Sequence, residues 1–513
     1  MGKLVKSTIT VLFLSAIGYL LTFCTNILIA KIFGAGFEMD SYLVAIGIPS
    51  YVVTILSGTL SITFIPVFAE YKSSNPIKAW SIVNSIINLA FICLILLSLV
   101  VIFFSYSIIK VAAPGFSAEN LGLSSNLLKW YAPVILFVVM NELFASIYYS
   151  HDMFFVPMLN KIVSPLVMIV FLFLFSSSLS VFTLVIATLC GALLQFFVLA
   201  LGIFHNPIFS YSFQPSLYNA GVKKVLLLMA PLIIGMLVYK ILPVFDRMIL
   251  SSLPQGSISH LNYANKLQSS MIQIIATSFS IPIFPLLASI SAEKKWVQLK
   301  EMMSKIIRIM IFVSLPFAIY FAIAGESIIR VLFQRGAFTS DDTIFVYRAF
   351  VLYMISLPVV AIGGVVSQGL YVLQDTKTPV IVGFVETALY IGLCFLLLPY
   401  LHYLAIPISY GFYFTFSVVV LGYIFRNKIG LGGGKALFHS VILNLVLSVT
   451  IGGIFWVIIR TIHIADILLL CLCVLFIIIY FGSAKLLHIA EAQTLWEKLY
   501  ALFFNRKTTT ITL

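Results

Sequence analysis

Fourteen apolar stretches follow one another along the 513-residue chain, separated by short polar breaks. They fall at about 8–33, 40–69, 79–112, 127–150, 155–176, 180–204, 224–253, 258–290, 306–325, 343–373, 378–399, 403–425, 437–460 and 465–488. A spanning helix needs roughly 20 apolar residues, so fourteen helices of about 22 take up roughly 310. The remainder is loops and helix ends, which leaves no room for a large soluble domain. Only 9% of residues are charged, against about 25% in a soluble domain, and mean hydropathy is +1.14. The expected fold is an all-α integral membrane protein with about 14 transmembrane helices. A membrane-tethered enzyme working in an aqueous lobe is excluded.

The first stretch follows Lys3 and Lys6 and is too long for a signal-peptide core, so it reads as an uncleaved helix. Lys6 stands where a myristoylation motif needs Ser or Thr. The six cysteines (Cys24, Cys93, Cys190, Cys394, Cys471, Cys473) all lie in apolar runs and read as small hydrophobes. The net charge of +13 does not imply nucleic acid, because its distribution follows the positive-inside rule. With the N-terminus in the cytoplasm, 19 of the 30 basic residues fall on inner loops and tails, and six on the outer side. Both termini are therefore expected in the cytoplasm.

An internal repeat is visible. Ala113-Pro114-Gly115-Phe116-Ser117-Ala118-Glu119 is similar to Arg335-Gly336-Ala337-Phe338-Thr339-Ser340-Asp341 at an offset of 222. Tyr149-x-x-Asp152 with Pro157 is similar to Tyr371-x-x-x-Asp375 with Pro379 at 222 or 223, and Phe64-x-Pro66-x-x-Ala69 to Phe284-Pro285-x-x-Ala288 near 219. The spacing covers six helices, and an even number returns the chain to its starting side. Two six-helix lobes should thus be related by a pseudo-two-fold along the membrane normal, with two C-terminal helices outside the repeat. The expected partition is 1–222 (helices 1–6), 223–428 (helices 7–12), 437–488 (helices 13–14, bordering a lipid groove) and 489–513 (cytoplasmic tail).

Ionisable side chains inside bilayer helices are costly and by default face a cavity or a partner. The candidates are Lys31, Asp40, Glu142, Lys161, Lys240, Asp246, Arg247, Lys266 and Glu386. Lys31 and Asp40 lie near the outer end of the first hairpin, where snorkelling to the interface competes with a cavity role. Lys161 and Glu386, close to helix ends, read as snorkelling. Lys240, Asp246, Arg247 and Lys266 lie deep in helices 7 and 8, with Lys240 two turns before Arg247. Three cations against one anion suggest a site for an anionic ligand; a structural polar seam is the plainer reading. No nucleotide-binding loop is present: the cluster Gly430-Leu431-Gly432-Gly433-Gly434-Lys435-Ala436 lacks the first glycine and the hydroxyl after lysine. No metal-ligand motif appears. Asp341-Asp342 reads as a cap on helix 10. Work must then be drawn from the membrane potential, a monovalent cation or proton gradient, or consumption of product. No cofactor is expected.

Three motifs carry a resemblance. Ala30-Lys31-Ile32-Phe33-Gly34-Ala35-Gly36 leads into Asp40-Ser41-Tyr42-Leu43-Val44-Ala45, Pro49 and Phe64-Ile65-Pro66-Val67-Phe68-Ala69. Leu332-Phe333-Gln334-Arg335-Gly336-Ala337-Phe338-Thr339 and Gly369-Leu370-Tyr371-Val372-Leu373-Gln374-Asp375-Thr376-Lys377-Thr378-Pro379 are the others. Together they resemble the MurJ (MviN) family of lipid II flippases, within the larger superfamily of flippases and drug exporters. The resemblance implies two lobes around a central cavity, a lipid groove beside the last two helices, and alternating access that moves an undecaprenyl-pyrophosphate-linked glycan to the outer leaflet of the bacterial cytoplasmic membrane. It marks Gly34, Gly36, Pro49, Pro66, Gly336, Asp375 and Pro379 as motif positions. The chain departs from the family at Tyr19, Thr25-Asn26 and Val53-Thr54, where arginines or an Arg-Asp pair are usual, and at Tyr263-Ala264-Asn265-Lys266, where lysine replaces arginine.

The expected cavity set is Lys266, Arg247, Lys240, Asp246, Asp40 and Lys31. The expected partners are a lipid-linked glycan, membrane lipids and cell-wall or polysaccharide synthesis machinery. A flippase for another lipid-linked oligosaccharide (exopolysaccharide, capsule or O-antigen unit) fits the same residues. An exporter of soluble cationic amphiphiles requires an excess of cavity carboxylates, an inert scaffold needs no intramembrane charge, and a glycosyltransferase needs acidic metal-binding loops.

Overall fold

The computed structural model describes residues 2–151, 153–204, 211–213, 216, 219–430, 434–461, 466 and 468–504. The side chains of residues 2–10, 12, 238–240, 276–283, 285, 434–437, 470 and 498–504 fall outside that description. Among the described residues there are helices and no strand. Lipid offers the backbone no hydrogen-bond partner, and a helix satisfies its own N–H and C=O groups.

The helices are α1 (Gly2–Phe33), α2 (Phe37–Ser74), α3 (Pro76–Phe103), α4 (Ser105–Ala112), α5 (Ala118–Tyr149), α6 (Phe155–Leu179), α7 (Phe182–Phe204), α8 (Ala220–Lys240) and α9 (Leu242–Leu250). Then come α10 (Ser257–Ala292), α11 (Trp296–Phe333), α12 (Ser340–Val372), α13 (Lys377–Leu401), a 3-10 turn (His402–Leu404), α14 (Ala405–Ile429), α15 (Gly434–Thr461), α16 (Leu468–Leu486) and α17 (Ala490–Phe504). Among the described residues, eleven stretches are long and apolar enough to cross a membrane, or twelve if α16 and α17, bent by 109°, form one broken span. One of the eleven, Lys377–Ile429, is 53 residues long and holds two helices, α13 and α14. Helix α10 is not among them, so length and hydropathy alone do not reach fourteen. The chain is a multi-pass membrane protein.

Local chemistry sets several boundaries. Asn75 accepts from the Lys78 N–H at 3.0 Å and Pro76 follows it, so α3 opens with a capped first turn. Ser117 caps α5 and Asn219 caps α8 in the same way. Helix 7, expected as one element over 224–253, is interrupted at Ile241, with Pro243 in the first turn of α9. Proline lacks the N–H that would continue the ladder. Lys240 and Arg247 thus sit on different segments, and the two-turn spacing of one continuous helix does not apply. Helix 3 is likewise split at Phe104.

Two compact units emerge, Met1–Ser259 with Arg335–Thr339, and His260–Gln334 with Ser340–Leu513. The expected division at 222/223 counts helices in a repeat, whereas these units follow packing: α8 lies against α2 and α3, and α9 against α2 and α4. In the first unit α5 packs on α2, α3 and α7, and α6 joins α1 to α7. In the second, α11 packs against α12, α15, α16 and α17, and α14 against α12 and α13.

The segment 335–339 belongs to the first unit although α11 and α12 on either side of it belong to the second. Its Ala337 N–H donates to the Lys31 carbonyl at 2.9 Å. Gly34 and Gly336 both have φ of +61°, and a Cβ on either would collide with the other segment's backbone. The partner loop shows the same device: the Gly115 N–H donates to Ser251 Oγ at 3.0 Å, beside Gly256 with φ of +91°. Gly34 and Gly256 are 222 residues apart, the spacing of the sequence repeat.

Candidate functional site

Arg247 is the intramembrane cation with the most explicit surroundings. Its guanidinium lies over the Tyr51 ring, 5.3 Å from the centroid, and against Gly47 on α2. A Cβ at Gly47 would collide with Arg247 Nη1, so glycine is what lets the arginine lie flat on α2. Nη1 is buried and has no hydrogen-bond partner among the described residues. Asp246 adds its charge beside Tyr51. The guanidinium also hydrogen-bonds the Tyr51 side chain, and Nη1 keeps donor capacity to spare, which suits an anion.

Lys266 lies on α10 in the second unit, half-buried, one helical turn before Ser270. The Lys240 side chain falls outside the described residues. Lys240, Arg247 and Lys266 are thus not shown as one cluster: Arg247 belongs to the first unit and Lys266 to the second.

Asp40 has a different occupation from the cavity role. It is 3% exposed, and its carboxylate accepts from the Gly256 N–H at 2.6 Å, the Ser259 N–H at 2.8 Å and Ser259 Oγ at 2.6 Å. A carboxylate there satisfies the orphan donors at the start of α10 and complements the helix dipole. Lys31 contributes its carbonyl to the 335–339 loop.

The motif positions divide by role. Pro49 and Pro66 lie inside α2, Pro49 buried and Pro66 exposed. Asp375 accepts from the Thr378 N–H at 3.0 Å and from the Thr378 hydroxyl, and pairs with Lys428. Lys428 and then Thr378 hold its carboxyl well below the usual aspartate range. Pro379 follows in the first turn of α13, where its missing N–H is harmless. Gly36 is different: it has extended backbone with φ of −156°, and nothing lies within 4 Å of where a Cβ would stand. Asp342, expected as a helix cap, lies in the first turn of α12, and its Oδ1 also bonds His260 Nε2 at 2.7 Å. Lys161 lies over Tyr19, 5.9 Å from the ring centroid, with Ser15 Oγ 3.5 Å away. Glu386, read from sequence as snorkelling, is 4% exposed and interior. Asp152 lies outside the described residues.

Neither Gly47 nor Tyr51 stood out in the sequence. A glycine 200 residues from the arginine it accommodates carries no local signal, and an aromatic in an apolar run is ordinary core.

This fold of interrupted helices is shared with solved membrane transporters. A solved chain described as "Lipid II flippase MurJ, inward closed conformation" superimposes with a TM-score of 0.78 at 22% identity, covering 94% of this chain and 98% of its own. An inward-facing multidrug transporter of the MATE family superimposes with a TM-score of 0.70 at 13% identity, covering 82% and 96%. Sequence narrows the class. The profile of the family described as "Lipid II flippase MurJ" matches residues 29–479, and a probable lipid II flippase of Buchnera aphidicola subsp. Acyrthosiphon pisum is 32% identical over 388 residues, 74% of this chain and 75% of that protein. The chain belongs to the MurJ family.

Proposed function

We propose that this chain carries a lipid-linked glycan of the lipid II type from the inner to the outer leaflet of the bacterial cytoplasmic membrane, by alternating access and without covalent chemistry. Family membership supports the transport class. Arg247 supports the chemistry of the cargo: a half-buried guanidinium with an unpartnered buried Nη1 is suited to a pyrophosphate. Lys266 on α10, by its residue type, is a second cation that we test for a role in headgroup binding. The prenyl tail stays in lipid beside α15 and α16, and both termini lie in the cytoplasm. The energy source is the membrane potential or a monovalent cation or proton gradient.

A charge-assisted hydrogen bond to phosphate contributes about 1.5–3 kcal/mol, so its loss weakens binding roughly 10- to 100-fold. In proteoliposomes with a fluorescent lipid II analogue, Lys266→Ala and Arg247→Ala are expected to lose flipping while inserting normally, and Lys266→Arg to retain it. Normal flipping by both alanine variants would refute the anionic site and favour an exporter of soluble amphiphiles. Flipping of a lipid-linked capsule unit but not of the lipid II analogue would move the assignment to another saccharide.

A further inference from the structure

Glu386 is a carboxyl group in the interior of a membrane helix that the proposed headgroup site does not use. It is the tenth of 25 residues in α13, about 14 Å along the axis from Lys377 at 1.5 Å per residue. The side chain is 4% exposed. Ser417 and Tyr413, both on α14, hydrogen-bond to the carboxyl group, and Tyr413 meets Tyr390 edge-on at 6.1 Å. Its Oε2 is buried with no hydrogen-bond partner among the described residues.

The surroundings are neutral. Helix α13 packs against α12, α14 and the 3-10 turn. The charged residues of α12 are Asp341, Asp342 and Arg348 at its Ser340 end, and those of α14 are Arg426 and Lys428 in its last turn. Lys377 opens α13, and His402 is the titratable group of the 3-10 turn. None forms an ion pair with Glu386 among the described residues. An ionised carboxylate in hydrocarbon without a cation is costly, and two hydroxyl donors do not neutralise it. A metal cation would need several oxygens, yet Oε2 has no hydrogen-bond partner and no group of three or more His, Cys, Asp or Glu side chains placed to hold a metal occurs among the described residues. A proton needs only the one free oxygen.

We infer that Glu386 is a proton-binding site in the α13–α14 pair, and that its loading and unloading couples flipping to the proton gradient. This rests on the flippase reading above. The step is a plain protonation: the Glu386 carboxylate takes a proton reached from the outer side, forming one O–H bond, and returns it towards the Lys377 end, in the cytoplasm by the orientation proposed above. Inward passage of the proton accompanies outward passage of the headgroup, with no oxidant or second reactant.

Two readouts test it on the full chain. The first needs no transport: dicyclohexylcarbodiimide attacks protonated carboxyls in apolar surroundings, and peptide mass spectrometry is expected to find the adduct at Glu386 at pH 6–7, declining as pH rises. The second is flipping of the fluorescent lipid II analogue in proteoliposomes, with and without a one-unit pH difference, acid on the outer face. Wild type is expected to accelerate severalfold under the gradient, Glu386→Asp to retain that response and Glu386→Gln to lose it. Absence of the adduct refutes the proton site. An adduct with wild-type flipping indifferent to the gradient, or a glutamine variant that responds like wild type, refutes the coupling and leaves the flippase reading standing. A wild-type protein that fails to flip the analogue both with and without the gradient refutes both.

Discussion

Gly34 and Gly336, left-handed and packed on each other's segments, are where single residues have the largest predictable effect. Gly336 combines φ of +61° with a backbone carbonyl, that of Lys31, in the space of its missing side chain. A non-glycine residue in that conformation costs roughly 1–2 kcal/mol before any collision, and a β-branched one more. Gly336→Val is expected to lower the melting temperature and folded yield in fluorescence-detected size-exclusion chromatography. Gly36→Ala, with open space and extended backbone, is expected to change stability by less than about 0.5 kcal/mol. The motif made Gly36 and Gly336 look equivalent, and only the φ angle and the neighbouring carbonyl separate them. Asp375 supplies a second residue-scale test. Its folded carboxyl is held below the ordinary range by Lys428 and Thr378, so the folded state binds fewer protons than the unfolded one at mildly acidic pH. That stabilisation is complete above the usual aspartate value of about 3.9 and fades as pH falls through the lower folded value. Asp375→Asn is therefore expected to lower the melting temperature at pH 7, with the gap to wild type closing as pH falls below about 4. A gap independent of pH would mean that the ion pair contributes nothing.

Among the elements, α17 is held by a buried polar bolt. Glu491 accepts from Ser440 Oγ at 3.0 Å on α15 and pairs with Arg308 at 3.4 Å on α11. Asn444 Nδ2 donates to Ser440 Oγ at 3.2 Å and Tyr480 Oη donates to Asn444 Oδ1 at 3.3 Å, so α11, α15, α16 and α17 share one network. The Glu491 side chain is 4% exposed, and Lys485 lies 3.7 Å from the Trp496 ring centroid across the bend. Removing one member of such a network leaves buried donors unsatisfied, at about 1–3 kcal/mol. Glu491→Ala is expected to speed proteolysis within α17 and amide exchange in α15, while Trp496→Phe has a smaller effect. Equal exchange in both would show that apolar packing alone seats the helix. Sequence periodicity identified the apolar stretches that became α15 and α16, but no local pattern reveals that Glu491 has a partner arginine 183 positions upstream.

For the whole molecule, the basic loops predict one orientation. In a cysteine-free background, Ser73→Cys in the last turn of α2 is expected to resist a membrane-impermeant maleimide in intact cells, and Ser340→Cys at the start of α12 to react. Both positions are exposed, so accessibility depends on the side of the membrane. The opposite labelling would invert the topology. The duplication also has a three-dimensional counterpart: the loop after α11 packs on the first hairpin, and the loop after α4 packs on the turn between α9 and α10. Each repeat thus lends a loop to the opening hairpin of the other.

Composition and apolar periodicity were enough to make this an all-helical membrane protein, because a backbone in lipid has few other ways to satisfy itself. The 222-residue spacing and the family motifs likewise stood in the sequence, since they are patterns of identity and distance along the chain. Tertiary structure decided which charges have work already. Asp40 caps α10, Arg247 rests on Gly47 and Tyr51, and Glu386 turns inward instead of snorkelling. Those assignments depend on partners tens to hundreds of residues away, on the break at Ile241 that interrupts helix 7, and on burial. A one-dimensional pattern records none of these, because the field at a side chain is set by whatever the fold brings beside it.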